Sequence, residues 1–86
     1  MQHHSLRIRN ADFHVVTAGQ GPALLFIHGW PEFWLTWEPV LKRLCDRFTV
    51  IAPDLRGFGD SDKPSGEYGP ADHALDMIAL MDALNI

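Results

Sequence analysis

The chain has 86 residues, room for one small domain near the lower size at which a core sustains itself. The apolar fraction of 47% is that of a globular protein, and a net charge of −4 with scattered Lys and Arg gives nucleic acid nothing to grip. A lone cysteine, Cys45, excludes an intramolecular disulfide framework, no apolar run approaches the ~20 residues of a membrane span, and Met1-Gln2-His3-His4 is too polar for a signal peptide, so a cytoplasmic location is expected.

Ser5–Arg9 alternates polar and apolar residues, with Leu6 and Ile8 on one face, as a half-buried edge strand does. The His3-His4 pair before it is assigned no function. Asn10-Ala11-Asp12 reads as a turn, and Phe13–Thr17, rich in β-branched residues, as a second strand. Gly19-Gln20-Gly21-Pro22 ends it. This Gly-x-Gly lacks a third glycine and precedes a strand instead of opening a helix, so no phosphate loop and no cofactor is expected.

Ala23-Leu24-Leu25-Phe26-Ile27 is apolar without alternation, the pattern of a strand buried on both faces of a parallel sheet. It stops at His28-Gly29-Trp30-Pro31, where Gly29 frees the backbone and Pro31 stiffens it. Ligands of open α/β sheets bind at such carboxyl-end loops. A helix is expected from about Thr36, as N-cap, to Asp46, with Pro39 in its first turn and Trp37, Val40, Leu41 and Leu44 forming the apolar stripe. Phe48–Ala52 is the next buried strand. A loop rich in turn formers follows from Pro53 to Pro64 and continues through Gly69. Pro70 opens a second helix, apolar around much of its girth, for which Asn85 is the expected C-cap. Two buried strands joined through a helix make a βαβ unit and hence a parallel pair.

Two long motifs, His28-Gly29-Trp30-Pro31-Glu32-Phe33-Trp34 with Trp37 and Asp54-Leu55-Arg56-Gly57-Phe58-Gly59-Asp60-Ser61-Asp62-Lys63-Pro64, resemble the amino-terminal part of α/β-hydrolase-fold epoxide hydrolases. The resemblance runs from about Leu6 to Ile86 and implies an incomplete α/β-hydrolase sheet of about four strands and two helices. Haloacetate and haloalkane dehalogenases, some esterases and carbon–carbon bond hydrolases look similar here. The Pro31-Glu32-Phe33-Trp34 continuation favours epoxides.

The resemblance assigns the backbone N–H of Trp30 to half of an oxyanion hole, a preorganised donor for charge developing on oxygen. His28, Gly29, Pro31, Asp54, Arg56, Gly57 and Gly59 match motif positions read as structural. His28 in particular lies in the oxyanion-turn motif and not at the family's catalytic-histidine position. Trp30 and Phe33 are candidates for an apolar substrate pocket, with core packing as the alternative; Trp37 reads as core. The charges of Asp54, Arg56, Asp60 and Asp62 are expected to pair with one another or cap backbone groups. The histidines are dispersed, and no metal site is expected.

The family's nucleophile elbow, cap domain with tyrosine acids, second acidic triad member and catalytic histidine have no counterpart in residues 1–86. Residues 1–86 are therefore expected to be an amino-terminal fragment of a hydrolase core domain, inactive by itself. The parent's substrate would be a small apolar epoxide, or a halogenated compound if the parent is a dehalogenase; a serine esterase is a further alternative. A different class of reading is an association fragment that pairs through an open edge of the Ala23–Ile27 strand.

Overall fold

A computed structural model of the chain describes residues 1–66 and 68–86; Glu67, within the expected loop, lies outside the described residues. Strands β1 (Gln2–Ile8), β2 (Ala11–Ala18), β3 (Ala23–Leu25) and β4 (Thr49–Pro53) form one sheet in the order β1-β2-β4-β3. β2 is antiparallel to both β1 and β4, while β3 and β4 are parallel, as the βαβ reading requires.

The sheet separates two cores, and strand alternation decides which residue joins which. Phe13, Val15 and Ile51 face helix α2 (Pro70–Ala83), where Met77 and Leu80 meet them. Val16, Val50 and Ala52 face the opposite layer with Trp34 and with Leu41 of helix α1 (Glu38–Leu44). Each fully buried side chain of this size contributes about 1.5–3 kcal/mol.

Several boundaries differ from expectation. β1 begins at Gln2, because His3 and His4 pair with Val16 and Val15 across the hairpin. The hairpin turn is Arg9-Asn10, both at positive φ (47° and 65°), which suits the twist of the flanking strands, and Ala11 already belongs to β2. The helix after the His-Gly-Trp-Pro turn starts as a 3-10 turn, Trp34–Trp37, and continues as α1, with Trp37 rather than Thr36 as N-cap. Val40 is exposed and leaves the stripe.

β3 is shorter than expected, and its burial is lower: Ala23 and Ile27 are exposed and Leu24 to Phe26 half-buried. Among the described residues β3 pairs only with β4, so one of its edges and part of its surface meet no neighbour. Phe26 still donates its N–H to Ile51 (2.8 Å), carrying the pairing one residue past the strand.

α2 begins as expected, with Pro70 in its first turn and the Asp72 carboxylate accepting the Gly69 N–H (3.1 Å). It ends in a Schellman arrangement: Ile86 donates to the Met81 carbonyl and Asn85 to that of Asp82, with Asn85 at φ 61°. Leu84 is the C-cap and Asn85 the left-handed residue after it. Among the described residues no helix is long and apolar enough to cross a membrane.

Candidate active-site turn

The turn between β3 and α1 is built from its own short-range bonds. The Glu32 N–H donates to the Gly29 carbonyl (2.8 Å), and the Gly29 N–H donates to Glu32 Oε1 (3.1 Å). Glu32 thus closes the four-residue turn through backbone and side chain together. The Trp30–Pro31 peptide is cis. Among the described residues the Trp30 N–H takes part in no hydrogen bond, and Trp30 is 82% exposed.

Both ends of this turn are fastened to consecutive residues at the end of β4. At the start, the Leu55 N–H donates to His28 Nε2 (3.0 Å). A backbone amide can only donate, so Nε2 holds the lone pair and Nδ1 carries the hydrogen, which it gives to the Gly29 carbonyl (2.9 Å). Both nitrogens of the buried His28 are spent, and its ring lies edge-on to Phe58. This is the geometry of an anchor, with no nitrogen left for a reacting proton. At the other end, the Trp34 N–H donates to Asp54 Oδ1 (2.7 Å). This capture explains why helical structure begins at Trp34.

Asp54 is fully buried, and its carboxylate collects donors from three segments. Besides Trp34, the Asp60 N–H (3.0 Å) and His14 Nδ1 (2.8 Å) reach Oδ2. Its main chain is held as well: the Asp54 N–H donates to the His14 carbonyl, and the Ser61 hydroxyl to the Asp54 carbonyl (2.6 Å). Gly59, at φ +52°, passes so close that a Cβ would lie 2.3 Å from Asp54 Oδ2. Gly57, at φ +88°, is pressed by the Tyr68 ring in the same way. Asp60 contributes its backbone, and Asp62 takes the Asp12 N–H (2.7 Å). Arg56 turns away from its own loop. Its guanidinium makes a two-pronged pair with Asp76 of α2 (2.9 Å on each arm) and lies 5.6 Å from the Phe13 ring centre. The bond from Asp76, opposed by partial burial, holds the Arg56 pKa above its ordinary value.

The matched motifs therefore meet: His28 and Gly29 lie on the turn itself, Asp54 at the end of β4 where it holds Trp34, and Arg56, Gly57 and Gly59 on the loop that follows. Phe33 is 40% exposed beside the turn. Trp34 is core. An apolar groove of about 660 Å³ lies between Ile27, Leu55 and the α2 face of Met77 and Ile78, and neither Trp30 nor Phe33 lines it. His14, Asp54 and Asp60 bring ligand-type atoms within 4.8 Å of one another, but the Asp54 oxygens already accept three N–H donors. Sequence reasoning overlooked His14, Glu32 and Asp76. Only Asp76 left a trace, as an acid among the apolar positions of α2.

Residues 22–86 match the model of a family described as the alpha/beta hydrolase fold, and the chain belongs to it. The chain is 45% identical over 82 residues to a soluble epoxide hydrolase of Corynebacterium sp. (strain C12), covering 95% of this chain and 29% of that protein. It is 39% identical to epoxide hydrolase 1 of Siraitia grosvenorii, over 100% of this chain and 28% of that one. Among solved structures, an epoxide hydrolase from Vigna radiata superimposes with a TM-score of 0.94 at 34% identity, covering 99% of this chain and 29% of its own. The chain thus spans under a third of the length of the relatives it matches.

Proposed function

We propose that this chain is the amino-terminal part of the core domain of an epoxide hydrolase, and that the Trp30 N–H is one of the two donors of its oxyanion hole. The observation that carries the reading is a turn fastened at both ends, to Leu55 through His28 and to Asp54 through Trp34, around an N–H that bonds to nothing else described. A donor already fixed in place stabilises developing charge without reorganising. The likeness to epoxide hydrolases over the whole chain supports the choice of substrate.

In this reading the parent enzyme's aspartate attacks an epoxide carbon, the ring oxygen leaves as it takes a proton, and an alkyl ester forms. Water activated by a histidine then adds to the ester carbonyl, and Trp30 donates to the resulting oxyanion. Trp30 and Phe33 border the substrate. The nucleophile, base and cap tyrosines belong to the parent, so residues 1–86 alone turn over nothing. A cytoplasmic enzyme acting on small apolar epoxides follows from the same reading.

The test uses the intact natural protein with styrene oxide and, separately, chloroacetate. Diol formation is expected, and a single turnover in oxygen-18 water should leave the first diol unlabelled, because its new oxygen comes from the aspartate. Trp30→Pro removes the N–H donor together with the indole and fixes φ, so it is read against Trp30→Ala, which removes the indole alone. Relative to Trp30→Ala it should lower kcat roughly 10²- to 10³-fold. Halide release without diol would turn the assignment to a dehalogenase.

A further inference from the structure

We propose that His14 is a positioning residue for the oxyanion turn, acting through Asp54, with His3 fixing its second ring nitrogen. The proposal rests on the reading that the Trp30 N–H faces the ester intermediate. A carboxylate held only by Trp34 and Asp60 receives both donors from the loops it is meant to organise. His14 comes from β2, in the middle of the sheet, and its bond to Oδ2 ties the carboxylate to the most regular part of the fold.

The proton positions follow from the partners. An ionised carboxylate can only accept, so His14 Nδ1 donates to Asp54. His14 Nε2 then faces His3 Nδ1 at 2.9 Å, with the two rings nearly parallel (18°, centres 5.1 Å apart). Both rings also stand edge-on to the Trp34 indole, at 5.3 Å for His3 and 6.3 Å for His14. Trp34 is therefore gripped twice, its N–H by Asp54 and its indole by the histidine pair. That pair acts on the one residue through which the far end of the turn is fastened. His3 occupies a strand position where an exposed side chain has no packing duty, yet it is drawn into this contact.

The chemistry predicts where the effect falls. Epoxide opening places no negative charge on the ester carbonyl oxygen; hydrolysis of the ester does. Loosening the turn should slow the second half-reaction, so that ester accumulates and kcat and KM fall together. A His14 that merely satisfies a buried acid would cost stability and leave both kcat and KM at their wild-type values.

The experiment takes the intact natural enzyme, styrene oxide and the variants His14→Leu and His14→Asn, with nitrogen-15 tryptophan labelling to follow the Trp34 amide. His14→Leu should lower kcat about tenfold, a fraction of what loss of an oxyanion donor costs, with KM falling in parallel and alkylated enzyme visible by intact mass. Asn carries an amide N–H where Nδ1 stood and should restore most of the rate and the Trp34 amide shift. If His14→Leu does not fold, His3→Leu at the exposed end should give a smaller change in the same direction. Folded His14→Leu with wild-type kcat and KM and an unmoved Trp34 amide overturns the proposal, as does an unchanged His3→Leu where that variant must serve. The amide shift needs no substrate. Wild-type enzyme that makes no diol would therefore sink the epoxide reading, while the amide still decides whether His14 positions Trp34.

Discussion

Among the described residues two carboxylates are completely buried, Asp54 and Asp76, and they are satisfied by opposite means. Asp76 meets full positive charge: both arms of Arg56, and Arg9 from the hairpin turn (3.0 Å). Asp54 meets oriented N–H groups, two from backbone and one from an imidazole. The first arrangement joins elements, since α2, the β1–β2 turn and the loop after β4 all converge on one acid. The second aims separate segments at a point next to the turn. Both kinds of bond to a carboxylate are charge-assisted; the Arg56 fork ties one element to another, whereas the donors at Asp54 include the residue that fastens the turn. Asp76 should therefore be read out in stability and Asp54 in catalysis.

The largest expected effect lies on the Asp76 side. Arg56→Met leaves a buried carboxylate with Arg9 alone, and stranding one partner of a buried pair costs about 3–5 kcal/mol. Denaturant unfolding of the intact protein should show a lower midpoint at unchanged slope, with the KM for epoxide unmoved. Adding Asp76→Leu to the same chain should recover much of the loss. A cost below about 1 kcal/mol would mean that Arg9 suffices, against the usual penalty for a half-paired buried charge. Arg56 should add no pH dependence in the working range. Its pKa is raised by the bond to Asp76, so its contribution is complete below the unfolded value and fades only as pH climbs through the folded one, beyond ordinary guanidinium titration.

Gly59→Ala tests the other side. A side chain at φ +52° costs about 1–2 kcal/mol by itself, and its Cβ would sit 2.3 Å from Asp54 Oδ2. The carboxylate must yield, and the Trp34 N–H with it, so kcat should fall alongside stability. Gly66→Ala is the matched control: also at positive φ (126°), it meets nothing within 4 Å. It should carry a backbone cost with kcat intact. Equal kcat in both variants would separate the Asp54 cluster from the site.

Much of this architecture was legible because its causes are local. The apolar composition of α2, its Pro70 start and the apolar β4 run depend on neighbours in sequence. The departures occur where a distant partner decides. Trp34 starts the helical segment because Asp54, twenty residues on, takes its N–H. Arg9 accepts a positive φ in a turn where Asp76 holds its side chain and Arg56 donates to its carbonyl (3.4 Å). The Ala23–Ile27 run declares that it can be covered, which is a property of the residues; how far it is covered depends on neighbours that the run does not contain. His14 follows the period-two pattern of a solvent-facing strand position, so nothing in its surroundings discloses a bond to a carboxylate forty residues away.

The smallest expected effect sharpens the comparison further, because Glu32 clasps the turn from inside while His28 and Trp34 fasten it from outside. Glu32 is exposed, so when Glu32→Ala removes the acceptor of the Gly29 N–H, water can take its place. The loss of one exposed hydrogen bond should then cost at most about 1 kcal/mol, and Glu32→Gln, which keeps a carbonyl oxygen at the same reach, less still. If the outer fastenings hold the Trp30 N–H in place, kcat for both variants should stay within a few-fold of the parent. The matching measurement is the ratio of kcat loss to stability loss for Glu32→Ala against that for Gly59→Ala. A higher ratio for Glu32 would mean that the turn's own clasp sets the donor's direction. The converging bonds at Asp54 would then serve the fold alone, as those at Asp76 do.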